Sequence, residues 1–230
     1  MDRPFVFINA AMTIDGKIDT VQRKGAAISS QRDKERVDKL RAGADAVLVG
    51  GRTLLDEDPK LTVKSETLRQ QRVQRGMSPN PIKVGVVSKA IFNSHSKFLY
   101  EGNARVVIFT TNQTSKEELI SLRGLNHVEV FIHDGARVDL KMMMHTLQEI
   151  GIKRLMVEGG ATLNFELIKL GLVDEVSVYV APMIFGGEQA PTLAAGSGFE
   201  RSAAVNLKLI GSEDWKDGSV LLHYKVEKQP

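Results

Sequence analysis

The sequence predicts an α/β fold built on a largely parallel sheet, and three observations predict it. Short runs rich in valine and isoleucine, bounded by turn residues, recur along the whole chain. Helix-like amphipathic segments separate most of them, so strand and helix alternate. Several of the apolar runs are continuous, as expected of strands in a parallel sheet with helices on both faces.

The elements follow in order. Phe5–Asn9 (FVFIN) is the first expected strand. A helix follows over 29–43 (SSQRDKERVDKLRAG), with Ser30 three residues before Asp33 as its cap and Gly43 as its stop. Ala46–Gly50 is a second strand that runs into Gly50-Gly51, and Thr53 opens a short helix behind it. Lys64–Asn80 is polar and reads as a surface excursion. Ile82–Ser88, Ala104–Thr110 and Val128–His133 are strands. Between the last two, Ser115 and Glu118 stand at capping-box spacing in a helix that closes at Gly124. Asp139–Gly151 is a helix, Arg154–Gly159 a strand, Ala161–Gly171 a helix and Glu175–Pro182 a strand. Asn206–Gly211 and Ser219–Val226 alternate apolar and polar residues, which predicts antiparallel strands near a sheet edge. No internal repeat or linker divides the 230 residues, so one domain over 1–230 is expected.

Composition narrows the function classes. Hydrophobic residues make up 42% and charged residues 26%, as in ordinary folded proteins. No apolar run reaches the roughly 18–20 residues that span a bilayer. The apolar stretch near the N-terminus is short and ends at Asp15 and Lys17, which is not a signal-peptide pattern. No membrane association is expected. Cysteine is absent, which excludes disulfides, thiolate metal sites, a cysteine nucleophile and zinc deaminase chemistry, and fits a cytoplasmic protein. The net charge of +3 is too small to suggest nucleic-acid binding, and the four cations of Lys64–Arg75 read as a solvated loop. A few excess cations suit a phosphorylated small molecule.

Three constellations could carry chemistry. The first is Glu158-Gly159-Gly160-Ala161-Thr162, where a buried-looking strand ends in a carboxylate and two glycines and turns into a helix. Such a turn lets a diphosphate approach backbone N–H groups; alternatively the glycines only ease a tight connection. The second is INAAMTIDGKI, in which Asn9, Thr13, Asp15 and Lys17 follow the first strand and Asp15-Gly16 also reads as a plain turn. The third is VLVGGRTLLDEDPKLTVK, a second glycine turn at a strand end, with the hydroxyl of Thr53 able to cap or to bind phosphate. Its contiguous acids Asp56, Glu57 and Asp58 are a poor cage for one ion, and no metal is expected. The five histidines form no ligand-spaced pair, Ser94–Lys97 lacks the companion motifs of a lactamase, and Met142–Met144 reads as core.

Together, AAMTIDGKI, RAGADAVLVGGRTLLDEDPKLTV and VEGGATLNFELIKLGLVDEVSVYVAPMIFGG resemble the three signature blocks of the riboflavin-biosynthesis reductases, over about Phe5–Val226. The resemblance implies a dihydrofolate-reductase-like fold, NADPH as cofactor and a pyrimidine ribosyl phosphate as substrate, whose ribosylamino group becomes ribitylamino. With no deaminase block and no cysteine, the chain resembles the stand-alone archaeal or fungal type, which implies 2,5-diamino-6-(ribosylamino)pyrimidin-4(3H)-one 5′-phosphate as substrate. Position by position, the resemblance assigns Thr53, Glu57, Ser88 and Gly159, Gly160, Ala161 and Thr162 to the cofactor. It puts Arg41, Leu61 and Lys64 near the sugar phosphate, and Asn9 is counted with them. Lys17 and Glu158 fall near the reacting sugar as candidates for proton handling, with Asp15 third. Glu57 stands where aspartate is usual, and Lys64 where bacterial members have arginine. A homodimer is expected, since family members are commonly dimers and the C-terminal strands offer apolar surface. The alternatives are a reductase of the same fold acting on the deaminated pyrimidine or on dihydrofolate, and a nucleotide-binding module without turnover.

Overall fold

The structure, a computed structural model, describes residues 2–227. In chain order it contains β1 (Phe5–Thr13), α1 (Gln31–Ala42), β2 (Ala46–Gly50), α2 (Gly51–Leu55), α3 (Glu66–Gln74) and β3 (Ile82–Val86). Then come α4 (Lys97–Tyr100), β4 (Val106–Thr111), α5 (Lys116–Arg123), β5 (Val128–His133), α6 (Leu140–Glu149) and β6 (Arg154–Val157). The chain closes with α7 (Ala161–Lys169), β7 (Glu175–Ala181), β8 (Leu207–Asp214) and β9 (Val220–Val226). Packing divides the chain into two compact units, one of Met1–Pro4 with Arg36–Met156 and one of Phe5–Glu35 with Val157–Pro230.

In the first unit the strand order is β5-β4-β3-β2-β6. The pairs β2/β3, β3/β4 and β4/β5 are parallel, with Leu48 opposite Val84, Val84 opposite Val107, and Phe109 opposite Phe131. Every residue of β2 and β4 is buried, which is what their unbroken apolar sequences demand. Phe109 and Phe131 stack with ring centroids 5.1 Å apart. Two of the three methionines of the 142–144 run, Met143 and Met144, are buried on α6, while Met142 faces out.

In the second unit the order is β1-β7-β9-β8. β1 and β7 are parallel, and β9 is antiparallel to β7 and to β8. The α/β architecture, its mostly parallel strands and its antiparallel C-terminal pair are therefore as the patterns predict. Ile28, Tyr179, Ala181, Trp215 and Leu221 form the core here, with Tyr179 and Trp215 in ring contact at 5.3 Å.

The polar tract 64–80 departs from its reading as an excursion, because it holds α3. Ser65 caps that helix by accepting from Leu68 N. One of the four cations of the tract, Arg72, is buried. Its guanidinium donates to Ala42 O at 2.9 Å and Ala44 O at 2.7 Å, at and beyond the end of α1, and to Ser78 O at 2.9 Å, beyond the end of α3. A buried arginine in a polar stretch cannot be told from a solvated one by composition. Among the described residues, no helix is long and apolar enough to cross a membrane.

Candidate active site

The glycine turn of the second unit is built by β6 and α7. Glu158 is half-buried directly after β6, Gly159 is buried with φ +105°, and the Gly159–Gly160 peptide is cis. The left-handed region explains why Gly159 is glycine. A Cβ there would meet nothing within 4 Å, so the position lies open rather than crowded. Gly160 is the N-cap of α7 and supplies no side-chain bond, so the first N–H groups of the helix are left for another acceptor. Ala161 is half-buried and Thr162 is exposed at this end.

The turn after β1 lies in the same unit. Gly16 N donates to Thr13 O at 2.9 Å with φ +78°, so Asp15-Gly16 is a turn. Lys17 N donates to the buried Thr13 hydroxyl at 3.0 Å, and the Lys17 ammonium reaches Ala190 O at 3.3 Å. The exposed Asp15 carboxylate accepts from the Thr13 hydroxyl, from Gly186 N at 2.8 Å and from Phe185 N at 3.3 Å. The Thr13 hydroxyl above all, aided by the two backbone donors, holds its carboxyl below the ordinary value. This is a stable anion that anchors a loop, and a poor proton donor. Asn9 is buried on β1 opposite Ser177 of β7.

One segment ties these two turns together, and no signal in the sequence reading singled it out. Residues 183–196 accept or donate at both. Lys17 forms an antiparallel bridge with Thr192, and Ile18 N donates to Pro191 O at 2.9 Å. Ala195 N donates to Ala161 O at 3.0 Å, and Asn164 of α7 donates to Leu193 O at 2.8 Å. Gly196 leaves room for the Phe165 ring, which a Cβ would strike at 2.1 Å. The quoted block ending in PMIFGG contains the start of this segment, but without coordinates its glycines and prolines read only as loop.

The remaining candidates lie in the first unit. Thr53 is the third residue of α2, so it does not cap that helix; its hydroxyl donates to Glu57 Oε1 at 3.0 Å. Gly50, the N-cap of α2, gives no side-chain bond. Ser88 is half-buried just beyond β3, and its carbonyl accepts from the Thr111 hydroxyl at 2.7 Å. Arg41 donates to Thr62 O at 3.1 Å. Leu61 is buried with φ +49°. Lys64 is exposed, and its N–H and that of Ser65 donate to the buried Asp38 carboxylate at 2.6 and 2.8 Å. Leu61 and Lys64 therefore lie on one segment that Asp38 and Arg41 of α1 hold. Lys64 lines an open polar depression of about 370 Å³ with Thr62, Arg69, Asn80 and Glu101.

The acids of the 56–58 run separate in role. Glu57 faces Thr53, while Asp58 accepts from Ser96 Oγ, Lys97 N and Phe98 N at the start of α4. Among the described residues no cluster of ligating side chains could hold a metal ion.

Residues 4–221 match the RibD C-terminal domain. The chain belongs to that family. A RibD-family relative from Methanothermobacter thermautotrophicus, named 2,5-diamino-6-ribosylamino-4(3H)-pyrimidinone 5′-phosphate reductase, is 42% identical over 208 residues, covering 90% of this chain and 91% of its own. A pyrimidine reductase-like protein from Corynebacterium diphtheriae superposes with a TM-score of 0.83 at 22% identity, over 98% of this chain and 93% of that one. Dihydrofolate reductase from Enterococcus faecalis superposes with a TM-score of 0.52 at 12% identity, covering 97% of each chain. The RibD-family chain thus has the dihydrofolate-reductase-like fold that its motifs imply.

Proposed function

We propose that this protein is an NADPH-dependent reductase of riboflavin biosynthesis, one domain over 1–230. It converts the ribosylamino group of 2,5-diamino-6-(ribosylamino)pyrimidin-4(3H)-one 5′-phosphate to ribitylamino. The carrying observation is the capping of the helices. Five of the seven α-helices among the described residues have a side-chain cap, from Ser30, Ser65, Ser96, Ser115 and Asp139. The two without one, α2 and α7, are the helices at which the family resemblance puts the cofactor residues Thr53 and Glu57, and Gly159 to Thr162. Unspent N–H groups and the positive end of the helix suit an anion, and the open space at Gly159 admits a diphosphate against the backbone. Thr53, Glu57, Ser88 and Gly159 to Thr162 would hold the cofactor.

When bound, NADPH supplies the hydride that adds to C1′ of the ring-opened substrate. The chain must do the rest. It holds the two carbons at roughly 3–3.5 Å and excludes water. O4′ leaves C1′ and gains a proton, which Glu158 or Lys17 delivers, while Asp15 keeps the 183–196 segment seated. Arg41 and Lys64 bind the 5′-phosphate; Lys64 keeps the charge but not the bidentate fork of an arginine.

Loss of reduced-nicotinamide absorbance on adding the diamino substrate tests the reading. Turnover only with the deaminated pyrimidine or with dihydrofolate would move the assignment to that substrate. NADPH binding without turnover of any of them would make the chain a binding module. We also propose a cytoplasmic homodimer with no nucleic-acid or membrane partner. The edge strand β8 supports the dimer: Leu207, Leu209 and Ile210 are 45%, 50% and 51% exposed.

A further inference from the structure

The first unit contains a buried lysine that the proposed reaction does not use. Lys83 of β3 is fully buried. Its ammonium donates to Phe98 O at 2.9 Å, to Lys97 O at 3.3 Å and to Glu101 O. These are carbonyls of α4 and of its C-terminal cap; Lys97 O also accepts from Glu101 N at 3.0 Å, and Phe98 O and Glu101 O lie at the end of the helix where i→i+4 partners run out. The opposite end of α4 is held by Asp58, whose carboxylate takes Ser96 Oγ at 2.7 Å, Lys97 N at 2.7 Å and Phe98 N at 2.9 Å. A cation at the C-terminus and an anion at the N-terminus both complement the helix dipole.

Asp58 is also the end of the segment that leads out of α2. Asp56 N and Glu57 N donate to Arg52 O at 2.8 and 3.4 Å, and Asp58 follows with φ +46°. Side chains at i and i+2 of a strand share a face, so Lys83 points to the same side of β3 as the space above Gly85. There Leu54 of α2 and Phe98 of α4 close in: a Cβ on Gly85 would lie 2.8 Å from Leu54 Cδ2 and 3.2 Å from the Phe98 ring. Leu54 and Phe98 are themselves fully buried. Thus α2 rests on α4 through one apolar contact and one three-bond carboxylate, and α4 rests on Lys83.

We propose that Lys83 and Asp58 are positioning residues that clamp the two ends of α4 and through it set α2, so that Thr53 and Glu57 are presented to the cofactor. The proposal rests on the reading of Thr53 and Glu57 as cofactor residues. The three donors of the ammonium meet three carbonyls, Phe98 O, Lys97 O and Glu101 O. Burial pulls the Lys83 ammonium down to about 8, against the opposing charges of Glu101 and Asp58. Glu101 is itself paired with Lys60 at 2.7 Å, and His127 contacts Leu99 O at 2.9 Å on the same helix. Any opening that returns Lys83 to water is therefore disfavoured as pH rises from about 8 toward 10.5.

The test uses Lys83→Met, Asp58→Ala and the conservative Asp58→Asn, with NADPH as the titrated probe and amide hydrogen exchange over 51–61 as a readout that needs no cofactor. The expected result is faster exchange over 51–61 in Lys83→Met and Asp58→Ala. Their NADPH dissociation constants should rise by about tenfold, as for coupling through packed networks, with Asp58→Asn between these and wild type. After correction for intrinsic exchange, wild-type protection over 51–61 should grow from about pH 8 upward, and that of Lys83→Met should not. Exchange over 51–61 equal to wild type in both variants overturns the clamp. Faster exchange with unchanged NADPH affinity overturns its positioning role. A wild type that does not bind NADPH overturns the proposed function instead, and the exchange result alone then decides the clamp.

Discussion

Two carboxylates, Asp15 and Glu158, illustrate what a single residue can do here. Asp15 and Glu158 both follow a strand, yet Asp15 is committed to the Thr13 hydroxyl and two loop N–H groups while Glu158 sits half-buried before the glycine turn. Glu158→Gln should lower kcat by about 10²–10⁴-fold, the usual contribution of a placed acid, with NADPH affinity retained in a fluorescence titration. An unchanged kcat would remove Glu158 from the chemistry. Asp15→Asn should act differently. A carboxyl held below its ordinary value of 3.8 adds stability above that pH and loses it as pH falls through the folded-state value. Acid unfolding followed by circular dichroism should therefore show a shallower acid limb in Asp15→Asn than in wild type. Lys83 has the opposite sign. Its folded-state value of about 8 lies below the ordinary 10.5, so the unfolded chain holds more protons between those values. Stability of wild type relative to Lys83→Met should be flat below about pH 8 and rise from there toward 10.5, measured by urea unfolding.

At the scale of the element, helix ends carry most of the information. Serine or aspartate caps start α1, α3, α4, α5 and α6, and glycines open α2 and α7. Gly159→Ala would place a Cβ on a backbone at φ +105°, which costs about 1–3 kcal/mol although no neighbour blocks it. Its melting temperature should fall, and NADPH affinity with it, because the carbonyl and N–H directions of the turn change together. Arg72→Met tests the other kind of helix end. Removing the donor leaves the Ala42 and Ala44 carbonyls buried without it, at about 1–3 kcal/mol each before water or relaxation intervenes. A loss of stability with little change in the Michaelis constants is the expected outcome.

For the whole molecule, the antiparallel C-terminal pair presents the surface that decides assembly. β8 is the outermost strand of its unit and is exposed along almost its whole length, with three large apolar side chains at 45–51% exposure. Leu209→Lys should shift the mass in size-exclusion chromatography with light scattering from dimer to monomer without altering the fold. A monomeric wild type would end the dimer proposal.

All nine strands among the described residues were legible in the sequence, because a buried parallel strand must be continuously apolar and the antiparallel strands near the edge alternate. The caps Ser30 and Ser115 were legible too, since a helix start has a local chemical requirement. So were the glycine turns and the ordered blocks that bear the family's chemistry. Two helices were not: α3 lay inside a polar tract, and α4 is too short to have a period. Nor were the burial of Arg72 and Lys83, the division of labour between Glu57 and Asp58, or the segment 183–196 that joins Lys17 to α7. Each depends in part on partners 14 to 173 residues away along the chain, and local pattern carries no record of which distant group a charged side chain will meet.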